Sequence, residues 1–353
     1  MSSAMHQPLK LLVMCTVSTG LDAVAEVLRQ GFTLSAIVGV HPDSADPEAI
    51  SGWTDVAAFA RRWGVPYVHV DRYDLKSDRD RQALLSLKSD VIWVAGWQRL
   101  IPSWLVEHAP LGAIGGHGSP DGIHGGRGRS PQNWAILLGC RQFEIALFRI
   151  TPGVDDGPVI ATRSFVYLDT DDIAISYKKV ALCTGEMMCE ILRNPQVLAH
   201  AVPQSTDAYY YPQRRPEDGY ADWTLGTAEV WAHCRALTRP YPGLRTRTSD
   251  GGELTIWRCQ PFDDRVTAPP GTVNAVFEDG SFLVTCGNGR VIVTDSEAHS
   301  QIWPSLLGSS LISVSVSSNV ARIVERHVSK HADGQPVAPR VLHRMRQGST
   351  LPT

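Results

Sequence analysis

The chain has 353 residues, 43% of them hydrophobic, and its 33 Lys and Arg against 36 Asp and Glu give a formal net charge of -3. That length predicts two domains with cores of their own, and the charge speaks against a polyanionic partner for the chain as a whole. Seven cysteines, at positions 15, 140, 183, 189, 234, 259 and 286, never adopt a C-x-x-C spacing, which argues for free thiols in a reducing compartment and against a zinc site.

At the N-terminus a single lysine, Lys10, precedes a short apolar run. The run is too short for a signal peptide or a membrane span, so the sequence predicts a cytoplasmic protein. Residues 11–15 (LLVMC) then read as a buried strand, followed by a turn and a helix over 21–30 with Leu21, Val24, Ala25 and Leu28 on one face. The cycle repeats with strand 34–40, helix 54–63, strand 67–70, helix 80–87, strand 91–95 and helix 102–107. A short strand at 113–114 leads into Gly112–Leu137, which holds eight glycines, two histidines and two arginines. A helix from Pro131 to 138, strands 144–150 and 159–166, and a long helix over 171–192 complete the first part. Alternating strands and helices predict an α/β, doubly wound, mostly parallel sheet. Runs without polar alternation, such as Val91–Ala95, fit strands buried on both faces.

In open α/β sheets ligands bind beyond the carboxyl ends of the strands. That singles out the loops 96–101 and 115–130, the second beginning around His117. A third stretch, ITPGVDDGPVI (150–160), is a Gly/Pro turn carrying Asp155 and Asp156. A histidine and a carboxylate from separate loops are the parts of a general acid–base pair. On spacing alone, a turn-capping aspartate pair and a solvated loop histidine are the favoured reading.

Several motifs in this order resemble the formyltransferase family that uses N10-formyltetrahydrofolate. The family signature Asn-x-His-x-Ser, a loop, Arg-Gly-x-x-Pro and a helix with Trp-Ala-Ile is matched by His117-Gly118-Ser119, Arg127-Gly128-Arg129-Ser130-Pro131 and Trp134-Ala135-Ile136. Its Asp-x-Gly turn is matched by Asp155-Asp156-Gly157, after a His117–Arg127 loop slightly longer than the family pattern. The resemblance implies a Rossmann-like catalytic domain and a formyltransferase activity with His117, Asp155 and Ser119 as catalytic residues. The donor, N10-formyltetrahydrofolate, is then expected against Gly96, Trp97, Gln98, Arg99, Leu100 and Ile101 on one side and Thr151, Val154 and Asp156 on the other, with no metal.

One departure stands out: the family's asparagine, an oxyanion donor, is Gly115 here. Losing such a donor typically costs ~100- to 1,000-fold in rate. Replacements to consider are Gln98, Gln132, Asn133 and the backbone N–H groups of Gly115 and Gly116.

Downstream, Asp218-Gly219, Asp222-Trp223, Arg235-Ala236, Pro240, Pro242 and Gly243 resemble the start of the family's C-terminal domain as found in the methionyl-tRNA enzymes. Short segments at 254–257, 271–277, 281–285 and 290–294 suit a small OB-type β-barrel. The expected domains are therefore 1–200, 201–305, and a tail over 306–353 with a helix at 319–330 and a poorly ordered end.

Nucleic-acid affinity rests on Lys and Arg neutralising phosphates. Residues 201–300 contain 9 Arg and no Lys against 13 Asp and Glu, and the loop after the second strand holds Asp43, Asp46, Glu48 and Asp55 with no Lys or Arg. The preferred acceptor is thus a small-molecule amine, such as an amino sugar or a biosynthetic amine. Formylation of methionyl-tRNA is the second reading; a non-catalytic folate-binding descendant, or altered one-carbon or carbamoyl-type transfer, is the third. The sequence leaves homo-oligomerisation open.

Overall fold

The computed structural model describes residues 9–41, 43, 53–249, 251–298, 306–331 and 334–347. The chain splits into two compact units, Met1–Gly118 with Glu144–Phe165 and Tyr177–Thr206, and Ser119–Phe143 with Val166–Ser176 and Asp207–Thr353.

In chain order the first strands are β1 (Leu11–Met14), β2 (Leu34–Val40), β3 (Tyr67–Val70), β4 (Val91–Val94), β5 (Ala113–Ser119), β6 (Arg127–Gly128), β7 (Gln142–Arg149) and β8 (Val159–Val166). The helices among and after them are α1 (Ser18–Arg29), α2 (Val56–Trp63), α3 (Asp78–Leu85), α4 (Ser103–Val106), α5 (Gly122–Gly125), α6 (Pro131–Leu137) and α7 (Ile173–Arg193). The first unit is built on a seven-stranded sheet of order β3-β2-β1-β4-β5-β7-β8. Strands β1 to β5 pair in parallel wherever they are neighbours. All four residues of β1 and all four of β4 are buried, as strands covered on both faces must be. Strand order reverses between β1 and β4, the position where doubly wound sheets open a crevice. Local chemistry fixes the helix ends: Asp55 accepts the Ala57 N–H at the start of α2, and Gly64 ends it in a left-handed conformation.

Strand β5 runs to Ser119 rather than stopping at Ile114, so His117 lies within the strand and not at the start of a loop. Its pairing with β4 ends at Val94 opposite Gly115, and the rest projects past that neighbour. The glycines belong to the strand because adjacent side chains take their room. A Cβ at Gly115 would lie 3.2 Å from the Phe148 ring and 3.2 Å from Ile150, and one at Gly116 would lie 3.3 Å from a Leu147 methyl.

The remaining strands are β9 (Tyr210–Tyr211), β10 (Leu244–Arg247), β11 (Glu253–Asp263), β12 (Val273–Val276), β13 (Phe282–Cys286) and β14 (Gly289–Ala298). With them come α8 (Thr227–Leu237), α9 (Val316–Lys330) and α10 (Pro339–Gln347). In the second unit β10-β11-β14-β13-β12 form an antiparallel sheet. Its two edges are joined by one short segment, since Thr248 bridges Leu311 and Thr272 bridges Ser310. The expected barrel is therefore closed by residues that the sequence reading had placed in the tail. Its core includes Leu254, Ile256, Phe282, Val284, Val293 and the fully buried Trp223, whose indole N–H donates to Thr246 at 3.2 Å.

The two compact units interleave along the chain. Helix α6 belongs with the second unit because Asn133 donates to the Ala236 carbonyl (2.5 Å) and Trp134 to the Pro212 carbonyl (2.9 Å). The chain beyond His331 is not a featureless tail. Helix α10 buries Val341 fully and pairs the buried Arg344 with Glu229 at 2.9 Å. Among the described residues no helix is long and apolar enough to cross a membrane.

Candidate active site

The turn between β7 and β8 is tightly constrained. Asp155 has a left-handed backbone with φ at 52°, uncommon for a residue with a Cβ and tolerated best by Asp and Asn. The loop is closed tightly enough that a Cβ at Gly157 would strike the Arg149 carbonyl oxygen at 1.7 Å. Asp156 folds back across the turn, accepting from the Thr151 hydroxyl and filling the space beside Gly153. Asp155 points the other way. Its Oδ2 lies 3.4 Å from Nδ1 of His117, with 10% of the histidine side chain and 23% of the aspartate side chain exposed.

One residue absent from the sequence reading holds this turn. The Gln204 amide donates to the Asp155 carbonyl at 2.9 Å and to the Gly157 carbonyl at 2.6 Å. It is carried there by a short antiparallel bridge, Val159 with Val202. Nothing in the polar stretch around Gln204 signals that role, because it is created by tertiary pairing.

The other expected positions are placed as follows. Gly115 is buried on β5, two residues before His117 and against Phe148. Ser119 falls in the second unit, fully buried, where its hydroxyl accepts the Asp121 N–H at 3.1 Å. In the segment after β4, Gly96 packs on Val17, and the Gln98 N–H donates to the Tyr73 hydroxyl at 2.6 Å. Arg99 lies over the Tyr73 ring. Trp97 and Ile101 turn into the core, Trp97 only 6% exposed and stacked near Tyr73, so Trp97 is packing beneath the loop rather than an open wall. The Trp97 indole nitrogen is nevertheless buried without a hydrogen-bond partner among the described residues. Leu100 and Val154 present apolar surface outward, 66% and 37% exposed.

Of the groups considered as substitutes for the missing asparagine, two are engaged within the second unit. Asn133 donates to Ala236, and Gln132 accepts from Ser176 at 2.7 Å. Cys15, at the end of β1, donates to the Val17 carbonyl, and burial pushes its pKa up to about 12, so it is a neutral thiol and no nucleophile. Among the described residues no cluster of His, Cys, Asp and Glu is arranged to hold a metal ion.

The family described as "Formyl transferase" is matched over residues 12–192, more than half of the chain. The chain belongs to this family. The formyl transferase C-terminal domain is matched over residues 214–302 as well. Among solved structures, HypX from Aquifex aeolicus in complex with tetrahydrofolic acid is similar at a TM-score of 0.59 and 18% identity, covering 94% of this chain and 49% of that one. The chain therefore spans about half the length of HypX. The N-formyltransferase from Helicobacter canadensis, in complex with folinic acid and dTDP-3-aminofucose, is similar at a TM-score of 0.55 and 12% identity, covering 82% of this chain and all of that one. At these identities the likeness is one of fold.

Proposed function

We propose that this formyl transferase moves a formyl group from N10-formyltetrahydrofolate to a primary amine of a small-molecule acceptor. The observation that carries the reading is the His117–Asp155 pair, 3.4 Å apart and mostly shielded from water. An Nδ1–H directed at Asp155 puts the basic lone pair of His117 at Nε2. That nitrogen takes the proton from the amine as its nitrogen attacks the formyl carbon, and returns it to N10 as the old C–N bond breaks. Asp155 holds the ring in position and stabilises the imidazolium in between. A separation of 3.4 Å suits this role in the absence of ligand, because catalytic hydrogen bonds are often long until substrate is bound.

The residues present fit a folate donor. Leu100 and Val154 offer exposed apolar surface on the two expected loops. The formyl oxygen, which gains negative charge during attack, is stabilised by His117 together with Gln98 or the backbone of Gly115 and Gly116. Phe148 fills the room that a side chain at position 115 would need, which supports a site rebuilt around glycine rather than one merely lacking a group.

For the acceptor, the amino sugar on the Helicobacter enzyme supports a nucleotide-carried amine. The carboxylate excess over residues 201–300 disfavours transfer RNA. The deciding experiment offers a panel of amino sugar nucleotides, amino acids and biosynthetic amines with N10-formyltetrahydrofolate, reading tetrahydrofolate release and product mass. At least one small amine is expected to gain 28 Da on formylation. Formylation of methionyl-tRNA with no small amine turned over sinks the small-acceptor reading.

A further inference from the structure

The second unit contains a concave site that the formyl-transfer reading does not use. A pocket of about 420 Å3, counted to its open mouth, is lined by Arg129 after β6, Arg215 after β9, and Arg326, His327, Lys330 and His331 on and after α9. Such a hollow, open to solvent, is ordinary on a protein surface. Its charge is not. Two carboxylates answer this group: Asp218 binds Arg326 at 2.6 Å, and Glu217 lies 3.6 Å from Arg215. Arg129 and Lys330 have no acidic partner among the described residues.

Two histidines line the same hollow. His327 donates its Nε2–H to the Gln335 carbonyl at 2.8 Å, and its ring lies 5.0 Å from that of His331. The His331 pKa is held below the usual histidine value by burial first, then by His327 and Lys330. Cations gathered in a hollow repel one another, and the field they focus there attracts an anion. Arg supplies planar forks that match phosphate oxygens, and Lys supplies a movable point charge.

We propose that this pocket binds the phosphate groups of a small molecule, a diphosphate above all, since four Arg and Lys side chains line it against two carboxylates. The inference does not depend on formyl transfer, because every residue it uses lies in the second unit.

The test is calorimetric titration of the full chain with inorganic pyrophosphate and, separately, with a nucleoside diphosphate, each at low and at physiological salt. Both are expected to bind saturably and more weakly at higher salt. In Arg129→Ala/Lys330→Ala, which removes two exposed side chains, affinity is expected to fall by ~10-fold or more while the melting temperature stays put. Equal affinity for the two ligands marks a site for phosphate alone, and tighter nucleotide binding extends the site to its carrier; both support the proposal. As an independent readout, pyrophosphate should raise the His331 pKa followed by NMR. No saturable binding of either ligand, or an affinity unchanged in the double variant, overturns it. So does binding of an RNA oligonucleotide that pyrophosphate fails to displace.

Discussion

Asp155 keeps a backbone conformation that costs a residue with a Cβ about 1–2 kcal/mol, and such strain persists where the surroundings impose it. What it secures is direction: Asp155 faces His117, while Asp156 is occupied with Thr151. His117→Asn is expected to lower kcat by ~100-fold or more with little change in folate affinity, and Asp155→Asn to do nearly as much. Asp156→Asn should stay within a few-fold in the same steady-state assay; the opposite ranking would exchange the two roles. Gly115→Asn should lower kcat/KM by ~10-fold or more, because the new Cβ would press on Phe148 and Ile150 at 3.2 Å and the amide beyond it would crowd the site. Adding Phe148→Leu should recover part of that loss. A clear gain from Gly115→Asn alone would instead mean that an ordinary oxyanion site had simply lost its amide. At this scale the motif letters were legible in the sequence. The room around them was not: nothing local told that Phe148 takes the space of an absent side chain.

Among the elements, the β7–β8 turn depends on a partner from far along the chain. Gln204 contributes two hydrogen bonds, each worth about 0.5–1.5 kcal/mol net. Gln204→Ala should therefore cut kcat by ~10-fold by loosening Asp155, with a thermal midpoint shift of only a few degrees. Turnover equal to wild type would show that the turn holds Asp155 unaided. Apolar runs located the parallel strands within a residue or two, since full burial leaves a plain signature. The extension of β5 past Ile114 is not legible because its glycines look like a loop until Leu147 and Phe148 are seen packing on them. Strand β10 escaped notice because its arginines mask it; Arg245 and Arg247 both pair with Glu253, at 3.1 and 2.9 Å.

Over the whole molecule, the C-terminal helices change how the chain meets acid. His233 on α8 is buried, and burial first, then Arg344 and Arg214, pushes its pKa down to about 3. Unfolding releases it to an ordinary value near 6.5, so between those limits the unfolded chain binds the extra proton. The stability this group contributes is complete above about pH 6.5 and falls as pH drops toward 3, by up to ~1.4 kcal/mol per pH unit. Urea unfolding at pH 7, 6 and 5 should show that slope, and His233→Gln should flatten it. An unchanged slope in the variant would place the acid sensitivity elsewhere. Sequence reading could not anticipate this, because α10 is polar in composition and its docking relies on the Arg344–Glu229 pair. Nor does the interleaving of the two compact units follow from chain order, since α6 is anchored by contacts more than seventy residues away.

The bridge from Ser310 and Leu311 to Thr272 and Thr248 also bears on solubility. Without it, β10 and β12 would each expose a row of unpaired N–H and C=O groups, a template for strands of neighbouring molecules. A protein cut after residue 302, where the C-terminal family match ends, would keep every strand of the sheet yet lose its guard against aggregation.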